Sequence, residues 1–598
     1  MFQSFETTNT PEAGAARLTA LRAVIQAKGL DGFLVPRADL HQGEYVAPRD
    51  ERLAWLTGFS GSAGFCAAML DRAGVFIDGR YRVAVRSQVD LAVFSPVPWP
   101  ETQLGDWLKQ ALPEGGRVGF DPWLHTKGEI GKLETALDES GVVLVETDNL
   151  VDRIWTDQPG PPLGKIDPYP GELAGRSEGD KRRWLAGVLR DAGERACVLT
   201  LPDSIAWLLN IRGRDLERIP VVLACAIVFD NGQVTVFTDP AKASDLPPID
   251  GISFAPMNGF ATDLTALEDP VRVDPATAPL AVTRILERAG IEISAADDPC
   301  ILEKACKTPA ELDGARAAHA RDAVAMVNFL AWLDLEASKA GLSEIDVVTA
   351  LEGFRRETNA LRDISFETIS GAGPNGAIVH YRVTHATNRA INPGELLLVD
   401  SGGQYLDGTT DITRTIAVGP PPNDAVEAFT RVLQGMIAIS RARWPVGLTG
   451  RDLDALARVH LWMAGQDYDH GTGHGVGAYL SVHEGPQRIS RTAEVPLRPG
   501  MILSNEPGYY REGAFGIRIE NLVVVQEAGE IEGGDARDML SFETLTHVPI
   551  DRRLILADRL STGERDWIDA YHAEVLAKVG PRVEGAAKNW LKRATAPL

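Results

Sequence analysis

The sequence is poor in cysteine and in basic residues, and each shortage excludes a class of protein. Its five cysteines in 598 residues are odd in number, and none lies in a Cys-x-x-Cys pair. Neither a disulfide framework nor a thiolate metal site is therefore expected. Lys and Arg number 60 against 83 Asp and Glu, for a net charge of −23. That balance argues against a nucleic-acid partner and against binding to an anionic membrane surface.

Long apolar runs are also missing. No stretch has the length and composition of a transmembrane helix. The first residues contain neither the basic nor the apolar region of a secretory signal. We therefore expect a cytoplasmic protein whose cysteines stay reduced. The length of 598 residues predicts about three or four domains.

Alternating helix and strand signals predict an α/β domain over residues 1–155. Five prolines between positions 157 and 171 then predict an extended connector, which is typical of a domain boundary. A second α/β domain is predicted over 156–307. Its segment 203–229 repeats the Ala-Trp-Leu and apolar run of segment 51–70, which indicates a duplicated domain.

The third domain is predicted over 308–540, and a C-terminal extension over 541–598. Thr308 and Glu311 form a capping-box pattern with Pro309 at the first helical position, so a long helix should begin there. The extension carries a helical pattern at about 562–580. The whole chain is thus predicted to have a mixed α/β (α+β) fold.

Four carboxylates and one histidine stand out in the third domain, and we interpret them as the ligands of a two-metal site: Asp400, Asp411, His474, Glu506 and Glu520. An apolar run ends at Asp400, and Asp407-Gly408 is a hairpin signal that should bring Asp411 back towards it. Gly513 lies midway between Glu506 and Glu520, so a second hairpin should set those two acids opposite each other. Along 517–521, the polar side chains should share one strand face and the isoleucines the other.

The chemistry of this set favours metal binding over a structural role. A single Asp at a strand end is usually a cap or a turn residue. Two hairpins that each present two acids, with a histidine between Gly473 and Gly475, are harder to explain in that way. Carboxylates can neutralise two divalent cations about 3.5 Å apart. Oxygen-rich ligation with one imidazole suits manganese or another borderline metal.

Six of the 11 histidines fall between positions 380 and 483. His380 ends an apolar, strand-like run, His470 and His474 flank Gly-Thr-Gly, and His483 follows nine residues later. Taken alone, His380 and His483 would be ordinary core or surface residues. A hydrolytic metal site nevertheless needs proton donors and partners for an oxyanion, which makes both histidines candidates.

Five motifs carry a resemblance to a known family: DSGGQYLDGTTDITRT (400–415), HGTGHGVG (470–477), VHEGP (482–486), NEPGYY (505–510) and RIEN (518–521). They closely resemble the pita-bread metallopeptidases, specifically the long, three-domain, cytosolic form of aminopeptidase P (Xaa-Pro aminopeptidase). The resemblance implies two creatinase-like N-terminal α/β domains, then a pita-bread catalytic domain with a C-terminal extension. It covers essentially the whole chain.

The resemblance also implies an activity and a set of roles. It implies a homodimer with two Mn²⁺ ions per subunit, held by the five ligands above, and removal of an N-terminal residue that precedes proline. His380 and His483 match positions that contact substrate and the tetrahedral intermediate, and His474 is placed with them as well as with the metal. His470 matches a residue near the proline side of the cleft. Tyr510 matches a site residue, Arg518 an arginine that holds metal-ligating acids, and Arg80 an N-domain arginine associated with substrate binding.

The mechanism expected from this resemblance uses a metal-bridging hydroxide that attacks the carbonyl before proline. Glu506 would carry a proton to the leaving nitrogen, while His380 and His483 stabilise charge on the carbonyl oxygen. Three alternatives stay open on sequence alone. They are a methionine aminopeptidase-like or prolidase-like enzyme, a metal-free creatinase-like hydrolase, and a non-catalytic binding module on a decayed fold.

Overall fold

The structure is a computed structural model that describes residues 1–337, 339 and 341–598. It divides into two compact units, one of residues 8–301 and one of residues 1–7 with 302–598. No helix in the described residues is both long and apolar enough to span a bilayer. The domain limits predicted above, at 155/156, 307/308 and 540/541, stay predictions.

The unit of residues 8–301 contains two six-stranded sheets with equivalent strand orders, β4-β3-β2-β1-β5-β6 and β12-β11-β10-β8-β13-β14. Their strands are β1 (Gly32–Pro36), β2 (Phe65–Met69), β3 (Ala73–Ile77), β4 (Ser95–Pro98), β5 (Gly116–Phe120), β6 (Val142–Glu146), β8 (Ala196–Leu199), β10 (Cys225–Phe229), β11 (Val234–Phe237), β12 (Ile252–Ala255), β13 (Val271–Val273) and β14 (Ile293–Ala295), with a separate pair β7 (Asp167–Pro168) and β9 (Ile211–Arg212). In each sheet a central strand pairs antiparallel on one side and parallel on the other. This equivalence agrees with the duplication predicted from the sequence.

Short helices precede, connect or follow these strands. They are α1 (Gly14–Ala27), α2 (Arg52–Thr57), α3 (Val85–Gln88), α4 (Leu104–Ala111), α5 (Lys127–Ala136), α6 (Gly171–Ala174), α7 (Glu178–Asp191), α8 (Pro202–Leu209), α9 (Phe260–Leu264), α10 (Leu280–Ala289) and α11 (Pro299–Ala305). Apolar residues of α1, such as Leu18, Leu21 and Ile25, are buried against the first sheet, as their helical spacing predicts.

The second unit packs helices around antiparallel sheets of two to six strands. Its helices are α12 (Pro309–Ala337), α13 (Glu344–Arg356), α14 (Asn423–Ser440), α15 (Gly450–Trp462), α16 (Thr562–Val579) and α17 (Gly585–Ala594). The capping box predicted at the start of α12 is confirmed, because the Thr308 hydroxyl accepts from the Glu311 N–H and the Glu311 carboxylate accepts from the Thr308 N–H. The helix predicted at about 562–580 is confirmed as α16. Trp590 of α17 packs against the apolar core to which α16 contributes Ile568 and Tyr571.

Four sheets of this unit carry or support the candidate site, in the orders β16-β17-β20, β15-β18-β19, β21-β28-β27-β24-β22-β23 and β25-β26. Their strands are β15 (Leu361–Ile364), β16 (Ile369–Ala372), β17 (Leu396–Ser401), β18 (Gly403–Tyr405), β19 (Gly408–Thr409), β20 (Ile412–Ala417), β21 (Arg443–Pro445), β22 (Gly473–Gly475), β23 (Glu484–Ile489), β24 (Ile502–Asn505), β25 (Gly508–Arg511), β26 (Phe515–Arg518), β27 (Asn521–Glu527) and β28 (Met539–Thr544). A large apolar core under them includes Leu397, Val399, Ile517 and Ile519.

One predicted element is wrong. The residues before His380 do not form a strand, because Gly373–Ala377 is a 3₁₀ turn and the chain continues to His380 as a bend and turn. Gly373 has φ +52°, a left-handed conformation that glycine adopts without strain, and Pro374 follows it. The glycine-proline signal therefore outweighs the apolar Ile378 and Val379, which had suggested a strand.

Candidate metal centre

The first pair of acids lies on the hairpin of β17 and β20, as predicted. Leu406 and Asp407 form the tight turn between β18 and β19, one residue earlier than the predicted Asp407-Gly408, and Gly402 separates β17 from β18. Asp400 faces Thr413 across the antiparallel pair, two residues from Asp411. Both carboxylates are buried, with 8% and 4% of Asp400 and Asp411 exposed.

The second pair lies on the long hairpin that turns at Gly513. This glycine has φ +75°, and the register Gly508↔Arg518 continues as Asn505↔Asn521 on the neighbouring strands. Glu506 and Glu520 therefore sit opposite each other between the two ladders. Ile517 and Ile519 point into the core while Arg518 and Glu520 face the site, which confirms the predicted division of the strand into two faces.

His474 lies on β22, and its imidazole is close to one acid of each pair. Its Nε2 lies 3.5 Å from Asp411 Oδ2 and 3.4 Å from Glu506 Oε1. Its Nδ1 lies 2.9 Å from the Gly475 carbonyl oxygen, which can only accept, so Nδ1 carries a proton. This arrangement presents Nε2 to the acids, and backbone carbonyls commonly orient metal-ligating histidines in the same way.

Burial and mutual repulsion distort the acid–base properties of the cluster. Burial, with repulsion from Asp411 and Glu506, raises the pKa of Asp400 to about 6, although Arg518 opposes the shift. Burial and the neighbouring carboxylates hold the pKa of Glu520 well above its usual range. Burial disfavours the charged form of His474, but hydrogen bonding to Asp411 and attraction to Glu506 outweigh it and raise its pKa to about 9. The site therefore has an excess of negative charge that positive charge must neutralise.

The residues present fit a pair of divalent cations. Asp400 Oδ1, Asp411 Oδ1 and Glu520 Oε1 are buried but accept no hydrogen bond from any described residue. Buried carboxylate oxygens are normally paired, so these three are available as ligand atoms. One ligand atom each from Asp411, His474 and Glu520 lies within 4.8 Å of the others. Four carboxylates and one imidazole form the donor set expected of a hard or borderline metal.

A chain of hydrogen bonds connects the acids to His470. Arg518 donates from Nη2 to Asp400 Oδ2 at 2.6 Å and from Nη1 to the Tyr510 hydroxyl at 2.6 Å. The Tyr510 hydroxyl lies 2.9 Å from His470 Nε2. Arg518 also donates to Thr413 Oγ1, which donates to Glu520 Oε2 at 2.8 Å. Arg518 therefore orients acids from both hairpins, and it is only 1% exposed.

The structure brings most of the predicted site residues together. The ring of His483 stands edge-on to that of His474, with centroids 4.5 Å apart. The loop of His380 reaches the cluster through the Val379 carbonyl, which accepts from Arg518 Nη1 at 3.4 Å. Arg80 belongs to the other unit, where it forms an ion pair with Asp78 at 2.7 Å. Its role in substrate binding stays a prediction.

Sequence reasoning missed a buried clamp on α15. Arg458 donates to Asp454 Oδ2, to the Tyr468 carbonyl and to the His470 carbonyl, at 2.7–2.8 Å. Thr472 donates to Asp454 Oδ1, and its own carbonyl accepts from the Glu506 N–H. The clamp thus fixes the loop between His470 and His474. An Asp and an Arg four residues apart in a helix was the available signal, but surface helices show the same spacing.

Comparison with known proteins identifies four matched segments along the chain. Residues 17–154 and 157–311 each match the Creatinase/Prolidase N-terminal domain. Residues 313–527 match metallopeptidase family M24, and 538–598 match the C-terminal region of that peptidase. These matches confirm the predicted fold class, with two creatinase-like domains before a pita-bread metallopeptidase domain.

Curated relatives and a solved structure cover nearly the entire chain. Aminopeptidase P2 of Arabidopsis thaliana is 39% identical over 95% of this chain and 86% of its own. A probable Xaa-Pro aminopeptidase P of Aspergillus niger is 37% identical over 99% of this chain and 100% of its own. The crystal structure of X-prolyl aminopeptidase from Caenorhabditis elegans, described as a cytosolic enzyme with a di-nuclear active site, has a TM-score of 0.92 and 32% identity, and the match covers 98% of this chain and 100% of that one.

Proposed function

The chain belongs to the Xaa-Pro aminopeptidase P family, and we propose that it is a metalloaminopeptidase that removes an N-terminal residue when proline follows. The observation that carries this proposal is the cluster of four buried acids and His474. Three of its carboxylate oxygens accept no hydrogen bond within the described chain, and the acids share an excess of negative charge, as a dinuclear hydrolytic site requires.

We assign the metal ligands as Asp400, Asp411, His474, Glu506 and Glu520, and the preferred metal as Mn²⁺. Two divalent cations held there would supply Lewis-acid polarisation of the scissile carbonyl and a water activated at neutral pH. Arg518 and Thr413 support the assignment, since they hold Asp400 and Glu520 by hydrogen bonds of 2.6 and 2.8 Å. Fixed ligands of this kind are pre-organised for binding.

Glu506 is the proposed proton carrier between water and the leaving nitrogen. Burial raises its pKa, which brings its proton affinity closer to that of a group working near neutral pH. Its Oε1 accepts from Ser504 at 2.9 Å, so its orientation is fixed. His380 and His483 are proposed to donate to the carbonyl oxygen as negative charge develops on it.

The proline side of the substrate is assigned to His470 and Tyr510, with His474 facing the substrate as well. A bond to proline is a tertiary amide without an N–H, so the enzyme must select it by ring shape. The rings of His470 and Tyr510 lie 5.4 Å apart at 67°, and Tyr468 stands 4.7 Å from His470. These aromatic faces, close to the acids, support a pocket for a compact ring.

Further assignments extend the proposal beyond the site. They include Arg80 as a substrate-binding residue, a homodimer, a cytoplasmic location, and the domain limits 1–155, 156–307, 308–540 and 541–598. Sedimentation analysis measures the dimer directly. An Arg80→Met variant that raises KM while leaving kcat unchanged would support the role of Arg80, and wild-type kinetics would exclude it.

Peptide cleavage tests the function. A tripeptide with proline second, the same tripeptide with alanine second, and the Xaa-Pro dipeptide should be compared at a fixed Mn²⁺ concentration. The proposal predicts that the enzyme releases the first residue of the Xaa-Pro tripeptide far faster than that of either other peptide, or cleaves only the Xaa-Pro tripeptide. Preference for the dipeptide would instead identify a prolidase-like enzyme, and equal cleavage of the alanine peptide would exclude selection for proline.

A further inference from the structure

The segment Phe2–Glu6, which we call the strap, belongs to the same compact unit as the metal centre although it stands at the other end of the chain. The N–H of Phe2 donates to both oxygens of Glu352 on α13 at 2.9 Å. The Gln3 side chain exchanges two hydrogen bonds with the backbone of Thr368, at 2.8 and 3.2 Å. The strap is therefore anchored by specific polar contacts.

The other side of the strap holds the segment 373–388, which we call the His380 loop. The Phe5 carbonyl accepts from the His385 N–H at 2.9 Å. Arg382 donates to the carbonyls of Ser4 and Glu6, at 3.0 and 2.8 Å. Three successive strap residues therefore bind the backbone or a side chain of the loop.

Phe5 fills the space beneath this loop. It is 9% exposed and packs in a cluster with Ile369, Tyr381, Val383 and Leu398, against which Ile378 and Tyr510 also pack. Tyr381 and Ile378 flank His380 in the loop. Removing the Phe5 ring would leave a cavity directly under the turn that carries this histidine.

The same cluster adjoins the metal ligands. Ile369 faces Asp400 across β16 and β17, and Leu398 lies two residues before Asp400 on the same strand. Tyr510 is the residue that hydrogen-bonds both Arg518 and His470. The loop is also held by Glu344 of α13, which accepts from the Tyr381 hydroxyl at 2.9 Å. The strap adds the contacts to His385 and Arg382 described above.

We propose that the strap, through Phe5, is a positioning element that holds the His380 loop in its catalytic conformation. The proposal rests on the function proposed above, in which His380 donates to the substrate carbonyl. A turn without regular secondary structure is held by what packs against it, and a shift of about 1 Å can reduce a rate by about a hundredfold. The strap lies before residue 17, where the match to the creatinase-like domain begins.

Two matched substitutions in the strap test this role in the full-length enzyme loaded with Mn²⁺. Phe5→Ala removes the ring under the loop, whereas Phe2→Ala removes a ring that lies instead near Arg356 of α13, 5.3 Å from its guanidinium carbon. Phe5→Ala is expected to lower kcat for an Xaa-Pro tripeptide by about ten- to a hundredfold, with unchanged metal content. Phe5→Leu should restore most of the rate, and Phe2→Ala should keep it.

Hydrogen exchange provides a readout that does not depend on activity. In Phe5→Ala the His385 amide and its neighbours in the loop should lose protection, while amides of α14 keep theirs. Wild-type exchange in the loop together with wild-type kcat would overturn the proposal. So would a fall in kcat no larger than the fraction of protein unfolded at the assay temperature, because that would make Phe5 merely structural. If the wild-type enzyme itself cleaves no Xaa-Pro peptide, the proposed function fails, while the exchange result still decides whether the strap holds the loop.

Discussion

At the scale of single residues, the central feature is a group of acids that repel one another in a buried site. Two like charges 4 Å apart repel by about 4 kcal/mol at an effective dielectric constant of about 20. The chain keeps four carboxylates there, and in the described part of the chain Arg518 and His474 are the basic groups that lie within ion-pair distance of them. Such a cluster is costly for folding alone, so it is best explained by the cations that it binds.

Neutralising one ligand should separate metal binding from folding. We expect Asp411→Asn and Glu520→Gln to lower kcat/KM by at least about a hundredfold, because each removes a charged ligand. Bound metal, measured by atomic emission after dialysis, should fall in parallel. The urea midpoint measured in chelator should stay the same or rise, because like-charge repulsion is relieved.

Asp535→Asn is a suitable control, since its carboxylate is 81% exposed and forms an ion pair with nearby Arg537. It should leave metal content, turnover and the urea midpoint unchanged. Full turnover in Asp411→Asn or Glu520→Gln would contradict the assignment of the ligands.

At the scale of secondary-structure elements, α15 holds the loop that supplies two histidines. Arg458 is 2% exposed and donates to two carboxylates, those of Asp454 and Asp467, and to two backbone carbonyls. Removing one partner of a buried ion pair leaves the other charge unpaired, at a cost of about 3–5 kcal/mol. The loop from Asp467 to Thr472 therefore depends on this helix for its shape.

Arg458→Met should destabilise the protein by about 3 kcal/mol or more and weaken metal binding, because the loop before His474 loses its anchor. Urea unfolding in chelator and a Mn²⁺ titration measure the two effects. Arg451→Met, on the exposed face of the same helix, is the matched control. Arg458→Met with unchanged unfolding and unchanged metal affinity would rule out the clamp.

The buried His572 on α16 should make the stability of the protein depend on pH. Burial, together with the charges of Arg414 and Arg552, lowers the pKa of His572 to about 3, and its Nε2 accepts from the Ile550 N–H. An unfolded chain protonates histidine near pH 6.5. Between about pH 6.5 and 3 the unfolded state therefore binds the additional proton, so the free energy of unfolding falls as the pH falls.

His572→Gln should keep an acceptor for Ile550 and lose this titration. The urea midpoint of the variant should decline less steeply than that of the wild type between pH 6.5 and 4.5. His385→Gln, whose side chain is 66% exposed, should follow the wild-type curve. Identical slopes for His572→Gln and the wild type would show that His572 is not the group responsible.

The sequence predicted elements whose signals are local. Asp407-Gly408 and Gly513 predicted the two acid hairpins, and the Thr308–Glu311 capping box predicted the start of α12. The segment before His380 is wrongly predicted as a strand, because Ile378 and Val379 are apolar whereas Gly373 and Pro374 begin a turn. The Arg458 clamp was missed because carbonyl partners leave no pattern in the sequence.

At the scale of the whole molecule, long-range contacts set the limit of prediction. The strap binds residues about 350 positions away, and no periodicity or spacing in Phe2–Glu6 indicates that partner. The division into two compact units likewise assigns residues 1–7 to the later unit. The duplicated sheets, by contrast, were visible in the sequence because a repeat is a property of the chain itself.

The measurement that tests the central claim most directly is a Mn²⁺ titration of chelated protein, with bound metal and release of the first residue from an Xaa-Pro tripeptide followed in the same samples. We predict two ions per chain at saturation and activity that appears only as the ions bind. The Asp411→Asn variant should bind fewer ions and stay inactive. Full activity that persists in chelator, or activity that appears with no bound metal, would contradict the account.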